Sequence, residues 1–589
     1  MGSDSLVAFE ADPGPHRGKG LTGNPVQAHW LAVARGDQPA DLVLAGAQVF
    51  NVFTREWLRG DLAIAGGHVV GLGDYREATE RVELEGASLV PGYIDAHVHL
   101  ESSKLMVDEF ARAVLPHGTT SIVADPHEIA NVLGERGVRW FLEATEGLPL
   151  DVFVMAPSCV PASVFESPAA PLTVSELAGL LELPRVIGVA EMMNFPGVVA
   201  GEAGEMAKLQ VGLTDHFDGH APGLTGRALN AYAAAGIRSD HEATTYEEAL
   251  EKRRLGLAVM LREGSGARNL RDLLQLVRRF GPENCMFCTD DREPAFLVEE
   301  GHLDQMLRVT VAEGVAVEDA LLMATLNPAR QHRLRRLGAI APGYQADILV
   351  LESPDQFTPR AVYKRGRVLG EFPPVVVPDW VRQSMRMAPV SAGSFRMPAG
   401  AGQVLVIGIV ADQLLTTREV IVPTQRDGEI VADPARDLVK IAVVERHHAT
   451  GRMGRGLVTN VGLQRGAFAS TVAHDAHNLV VLGVDDEDMA ICANRLAEVG
   501  GGIVVAAGGR VVGELPLPVG GLMSDQPLAA VYARMTEMEG VLKELGCRLE
   551  APFLTISFLA LSVIPELKIT DRGLVDVRRF ALVPFEVGP

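Results

Sequence analysis

Between Leu89 and Asp291, short apolar runs recur at intervals filled by helical periodicity. The first run carries Val90-Pro91-Gly92-Tyr93-Ile94-Asp95-Ala96-His97-Val98-His99-Leu100-Glu101. Seven more follow at 119–124, 151–156, 186–190, 214–219, 236–239, 258–261 and 285–289. Stretches such as 244–252 read as helix, with Thr244 and Glu247 at capping-box spacing. Strand–helix alternation is the mark of a parallel α/β architecture. Eight such units in roughly 200–250 residues predict a (β/α)8 TIM-like barrel, whose chemistry gathers at the C-terminal strand ends. An open doubly wound sheet competes, but no phosphate-binding glycine fingerprint follows the first strand.

The pattern differs on either side of this block. Glycine-punctuated strands at 41–50 and 61–70 return in texture at 338–351 and 361–368. One small β-domain, a β-sandwich assembled from both flanks (29–90 and 338–395), is expected around a barrel at 91–337. Residues 1–28, rich in Gly, Pro and polar side chains, are expected to be poorly ordered. A C-terminal α/β domain is expected over 396–589, with strand candidates at 439–444, 478–484 and 503–507.

Composition narrows the function classes. Across 589 residues, 53 Lys and Arg stand against 75 Asp and Glu, a net charge of −22. So acidic a surface repels phosphate backbones and anionic membranes, so neither nucleic acid nor membrane is an expected partner. No apolar run approaches the roughly 20 residues of a bilayer span, and no secretory signal is expected at the N-terminus. Five cysteines, an odd number, fit a reducing compartment, and the cytoplasm is the expected location. A homo-oligomer, a dimer or higher, is the prior for a large multi-domain chain.

The candidate chemistry lies at the strand ends. Residues i and i+2 of a strand point to one face, so His97 and His99 present two imidazoles together. Later strand ends offer Glu191, His220, His241 and Asp290. Three of the histidines follow an aspartate closely: Asp95-Ala96-His97, Asp218-Gly219-His220 and Asp240-His241. Four imidazoles and two carboxylates suffice for two divalent metals bridged by a carboxylate and a hydroxide. Two cations sharing a water would leave hydroxide as nucleophile at neutral pH. Asp290 is the candidate to take its proton and pass it to a leaving amine. Its neighbour Asp291 reads as the alternative, a salt-bridged structural acid.

These segments resemble the amidohydrolase superfamily and, more narrowly, the adenine deaminase family. The resemblance rests on Asp95 to Ser103, Asp125-Pro126-His127-Glu128, Pro157 to Pro161, Ala190 to Val198 and Asp218-Gly219-His220. It continues through Ser239-Asp240-His241-Glu242, Arg262-Glu263-Gly264-Ser265, Thr289-Asp290-Asp291 and Thr325 to Ala329. The last region joins it with Val472 to Asn478 and Leu517 to Asp525. It implies that His97, His99 and Asp290 bind one metal and His220 and His241 a second. Glu191 would bridge them where many superfamily members use a carboxylated lysine. No lysine lies near that strand end, which disfavours sites of the hydantoinase or dihydroorotase kind. The implied reaction is hydrolysis of adenine to hypoxanthine and ammonia, a step of purine salvage, by a metal-bridging hydroxide. Two divalent metals per subunit are implied, Mn(II) or Fe(II) first, with Zn(II) open because imidazole and carboxylate suit all three.

Glu101 or Glu128 would protonate N1 of the purine, with His127 assisting or orienting a ligand. Ser102, Ser103, Ser265 and Asp125 are candidate substrate contacts. The alternative is an amidohydrolase for another aminopurine or a cyclic amide. His99-Leu100-Glu101 with Cys285-Met286-Phe287-Cys288 imitates the zinc nucleobase deaminase signature. Asn284 replaces the required proline, however, and two thiols three apart on a strand face opposite ways. The cluster His474, Asp475, His477 and Asn478 reads as a lid, an interface, a further metal site or a hydrogen-bonded turn.

Overall fold

The computed structural model describes residues 27–211, 216–400, 402–411 and 413–587. The tail expectation for 1–28 falls almost wholly outside the described residues. Eight strands line up in the central block: β1 (Tyr93–His99), β2 (Thr119–Ala124), β3 (Asp151–Ala156) and β4 (Val186–Met192), then β5 (Phe217–Gly219), β6 (Ser239–Asp240), β7 (Ala258–Arg262) and β8 (Cys285–Cys288). β1 to β5 pair in parallel, as do β6 to β8. β8 lies beside β1 and β5 beside β6, so the strands complete a ring. The pair Asp290–Asp291 adds to β1, Asp290 opposite Val98 and Asp291 opposite His99. The strands are buried on both faces, which is why they read as near-continuous apolar runs.

Three local expectations shift. The sixth strand is Ser239–Asp240 rather than 236–239, and the start of the run at 214–219 lies outside the described residues. β4 continues to Met192, so Glu191 sits within the strand and not after it. The helix after β6 is Tyr246–Arg254, capped by Thr245 accepting from Glu248 N, one residue later than the Thr244/Glu247 spacing predicted. Glu248 decides that frame. It is buried, accepting from Gly223 N and Lys252 Nζ, whereas Glu247 faces solvent.

The flanking strands from both sides share one eight-stranded sheet, joined where Ser88–Pro91 runs antiparallel to Ile348–Leu351. The C-terminal region carries a nine-stranded sheet flanked by the helices Asp486–Val499 and Leu528–Glu544. Its pairings are antiparallel except that of Gln403–Ile409 with Met453–Thr459. This corrects the α/β expectation there: strands joined largely without crossover helices give an antiparallel sheet with helices packed on it. Among the described residues no helix is long and apolar enough to cross a membrane.

Candidate metal centre

The ring brings His97, His99, Glu191, His220, His241 and Asp290 into one buried cluster. His97 and His99 project from the same face of β1, with their Nε2 atoms 3.2 Å apart. The Nδ1 of His99 lies 3.0 Å from the carbonyl of Asp125. A carbonyl only accepts, so Nδ1 carries a proton and Nε2 is the atom that faces the cluster and could ligate a metal, the usual arrangement of a metal-binding histidine.

Glu191 stands between two pairs of imidazoles. Its Oε1 is 3.2 Å from His99 Nε2 and 3.9 Å from His97 Nε2. Its Oε2 is 2.6 Å from His220 Nδ1 and 3.2 Å from His241 Nε2. Asp290 closes the first side, with Oδ1 3.5 Å from His97 Nε2 and 3.2 Å from His99 Nε2. Its φ of 55° places it in the left-handed region, which aspartate tolerates better than most residues. Burial alone would raise the Glu191 carboxyl, but His220, His241 and His99 hold it well below the usual carboxylate range. Asp290 is likewise pushed up by burial and held well below its ordinary value by Arg262, His97 and His99. Four imidazoles aimed at carboxylate oxygens make a donor set that fits two divalent ions.

The aspartates that precede the histidines serve the scaffold. Asp95 accepts from Thr289 Oγ1 at 2.5 Å and Thr289 N at 3.1 Å, tying β1 to the end of β8. Asp218 accepts from Ser239 Oγ at 2.6 Å, tying β5 to β6. Asp240 accepts from Ala221 N at 3.0 Å and from the buried Lys252 Nζ at 2.7 Å. Burial pushes the carboxyls of Asp95 and Asp218 up to about 7.

Arg262 and Glu242 belong to the cluster, although the sequence reading gave them no role. Arg262 ends β7 and is 2% exposed. Its Nη1 donates to Asp290 Oδ2 at 2.8 Å and to Glu242 Oε1. The only sequence signal was an arginine closing an apolar strand, where only burial, shown by the fold, makes a carboxylate partner necessary.

The remaining candidates divide. Ser102 Oγ lies 2.8 Å from Glu128 Oε1 and also contacts Asp291 Oδ1. One hydroxyl proton cannot serve two carboxylates, so one carboxyl must carry a proton of its own. Burial and the charge of Asp290 push Asp291 up. Asp291 therefore carries that proton and donates to Ser102 Oγ, which donates on to Glu128; no salt bridge to a lysine or arginine forms at Asp291 among the described residues, which corrects the salt-bridged alternative. Glu101 accepts from Ile129 N at 3.2 Å, and burial beside Glu128 pushes it up to about 8. His127 Nδ1 lies 3.1 Å from Asp125 Oδ2 and 3.5 Å from Glu191 Oε1, at the edge of the cluster. Ser103 donates to Leu100 O and Ser265 accepts from Glu293 N, so both hydroxyls fix local turns. The structure does not bring those two hydroxyls to the cluster. Cys285 and Cys288 are buried among apolar side chains.

The C-terminal turn reaches this wall of the cluster. Asp475 Oδ1 is 3.7 Å from His127 Nε2, and His474 Nδ1 is 3.7 Å from Glu128 Oε1. Asn478 anchors the turn, donating to Ser167 O at 3.0 Å.

Comparison with known proteins finds relatives along nearly the whole chain. The amidohydrolase family model matches residues 88–369, and the adenine deaminase C-terminal domain model matches residues 413–581. An adenine deaminase of Desulfatibacillum aliphaticivorans is 47% identical, the match covering 94% of this chain and 98% of the relative. Adenine deaminase 2 of Carboxydothermus hydrogenoformans and an adenine deaminase of Methanothrix thermoacetophila are each 46% identical at the same coverage.

Proposed function

Because this chain belongs to the adenine deaminase family, we propose that it hydrolyses adenine to hypoxanthine and ammonia at the cluster inside the strand ring. The family implies divalent metals. The observation that carries the site assignment is the division of Glu191, one oxygen toward His97 and His99 and the other toward His220 and His241. In this reading His97, His99 and Asp290 hold one ion, His220 and His241 hold the other, and Glu191 bridges. Mn(II) or Fe(II) is the expected pair, with Zn(II) compatible with the same donors. Bound there, two cations would depress the pKa of a shared water and supply a nucleophile at neutral pH.

The protein's own groups handle the protons. Water adds to C6, N1 gains a proton, and the C6–N bond breaks as the amine leaves as ammonia. Asp290, held ionised by Arg262, accepts one proton of the attacking water and returns it to the amine, while the second, on the C6 hydroxyl, restores the acid that protonated N1 as the carbonyl forms. Glu128 is the favoured acid for N1 over Glu101. It is linked through Ser102 to Asp291, the neighbour of Asp290, whereas Glu101 accepts from Ile129 N through Oε1 and has no link to that chain. His127 orients Glu191 and Asp125 lies behind it.

The finer layout belongs to the same proposal: a (β/α)8 barrel, a small β-domain built from both flanks, and a C-terminal domain lending a wall to the site. So do a homo-oligomeric state and a cytoplasmic location, which five free, buried cysteines favour.

The test is ammonia release from adenine, guanine, cytosine and a hydantoin assayed side by side, on wild type and Glu191→Gln. Adenine alone is expected to react, and E191Q is expected to lose activity and retain metal poorly. A fully active, two-metal E191Q would overturn the bridging role, and preference for another substrate would overturn adenine.

A further inference from the structure

The grouping Glu128, His474 and His477 has the spacing of a metal site: all three are buried, with ligand-capable atoms within 4.8 Å of one another. The hydrogen bonding of His477 argues for a different role. Its Nδ1 accepts from the backbone N–H of Ala473 at 3.1 Å. A nitrogen that accepts carries no proton, so in the neutral ring the proton sits on Nε2, which becomes a donor with no lone pair to offer a cation. That Nε2 faces Glu128 Oε2 at 3.8 Å, and neither atom has another hydrogen-bond partner.

The turn that aims it is fixed on every side. His477 O accepts from the buried Arg446, Ala476 O lies 2.7 Å from His447 Nε2, and Ala476 N donates to Glu166 Oε2 at 3.3 Å. The His474 ring stacks on Phe558 at 4.4 Å with planes 9° apart. His477 itself holds φ at 51°, a left-handed conformation that a histidine keeps only where the surroundings enforce it.

We infer that His477 is a positioning residue contributed by the C-terminal region, whose Nε2–H orients Glu128 through Oε2 while Ser102 engages Oε1, and that this trio serves Glu128 rather than a third cation. The inference rests on the reading of Glu128 as the acid for the purine ring. The gap of 3.8 Å is closed when substrate draws the carboxyl into line, as hydrogen bonds at catalytic groups commonly tighten on binding. The C-terminal region is thereby part of the reaction machinery and not an appended module.

The test is a double-mutant cycle on kcat and KM for ammonia release from adenine by manganese-loaded protein. His477→Leu is expected to lower kcat by about 10–100-fold with little change in KM, a part of the roughly 10²–10⁴-fold that a positioned acid contributes. His477→Gln, whose amide still donates, is expected to recover most of that loss. In a Glu128→Gln background, H477L is expected to cost nothing further, because its only route of action is gone. Losses that add, or an H477Q as impaired as H477L, would overturn the role. Manganese bound to wild type is a check that needs no variant to fold: two ions per chain are expected, and a third would overturn the tautomer argument. A wild type inert on adenine would overturn the functional reading and this role with it. A wild type active on adenine with additive losses would overturn this role alone.

Discussion

Replacing Arg262 with glutamine tests whether the buried cation behind Asp290 sets its charge. Arg262 is 2% exposed, and its guanidinium spans Asp290 Oδ2 at 2.8 Å and both oxygens of Glu242. A neutral amide at that position reaches one carboxylate at most and removes the positive charge that faces both. Breaking one side of a buried pair costs about 3–5 kcal/mol. At about 1.4 kcal/mol per tenfold, the loss in kcat/KM reaches about 10²-fold to 4 × 10³-fold if it falls on the reacting state. The pH profile separates this from simple loosening. Burial pushes Asp290 up and Arg262 first among its partners pulls it down, so R262Q must raise it. The ionised form then prevails only at higher pH, and the acid limb of kcat/KM for ammonia release moves upward. Arg262→Lys keeps the charge but cannot span both carboxylates, so an intermediate loss is expected. A folded R262Q with wild-type kcat/KM and an unmoved acid limb would refute the reasoning.

Two further outcomes follow from other buried groups. Lys568 is fully buried, donating to Leu414 O at 2.8 Å and Phe558 O at 3.0 Å, and burial drives its ammonium down to about 7. Between about pH 7 and its ordinary value of 10.5 the unfolded chain binds the extra proton, so stability rises with pH across that window, by up to about 5 kcal/mol. Lys568→Met should abolish the rise; urea midpoints of both proteins at pH 7 and 9.5 check it, and parallel midpoints would contradict it. The double variant Cys285→Ala/Cys288→Ala should keep its metal and its kcat, losing only about 1–2 kcal/mol of stability per site from the cavities. Metal loss in that variant would place a thiol in the centre.

The parts legible in the sequence were those written in local periodicity. Period two aligned His97 with His99, and strand–helix alternation located the strand ends carrying Glu191, His220, His241 and Asp290. What periodicity cannot carry is a partner chosen by the fold. Arg262 terminates a strand like any solvated arginine, and only the ring sets it against Asp290 and Glu242. The His474–Asn478 turn faces Glu128 and His127 across hundreds of residues, so the sequence left its role open among four readings. Ser103 and Ser265 illustrate the converse, short hydroxyls beside the site whose local hydrogen bonds settle a turn. The aspartates before the histidines share a pattern with the ligands because each clamps the strand end that presents one.

The central claim is a two-metal centre bridged by Glu191 that deaminates adenine. The most direct measurement is ammonia release from adenine by metal-depleted protein as Mn(II), Fe(II) or Zn(II) is titrated back with bound metal counted. No activity without metal and full activity at two equivalents per chain are expected, with Mn(II) or Fe(II) the most effective. Full activity at one equivalent, or in the depleted protein, would contradict it.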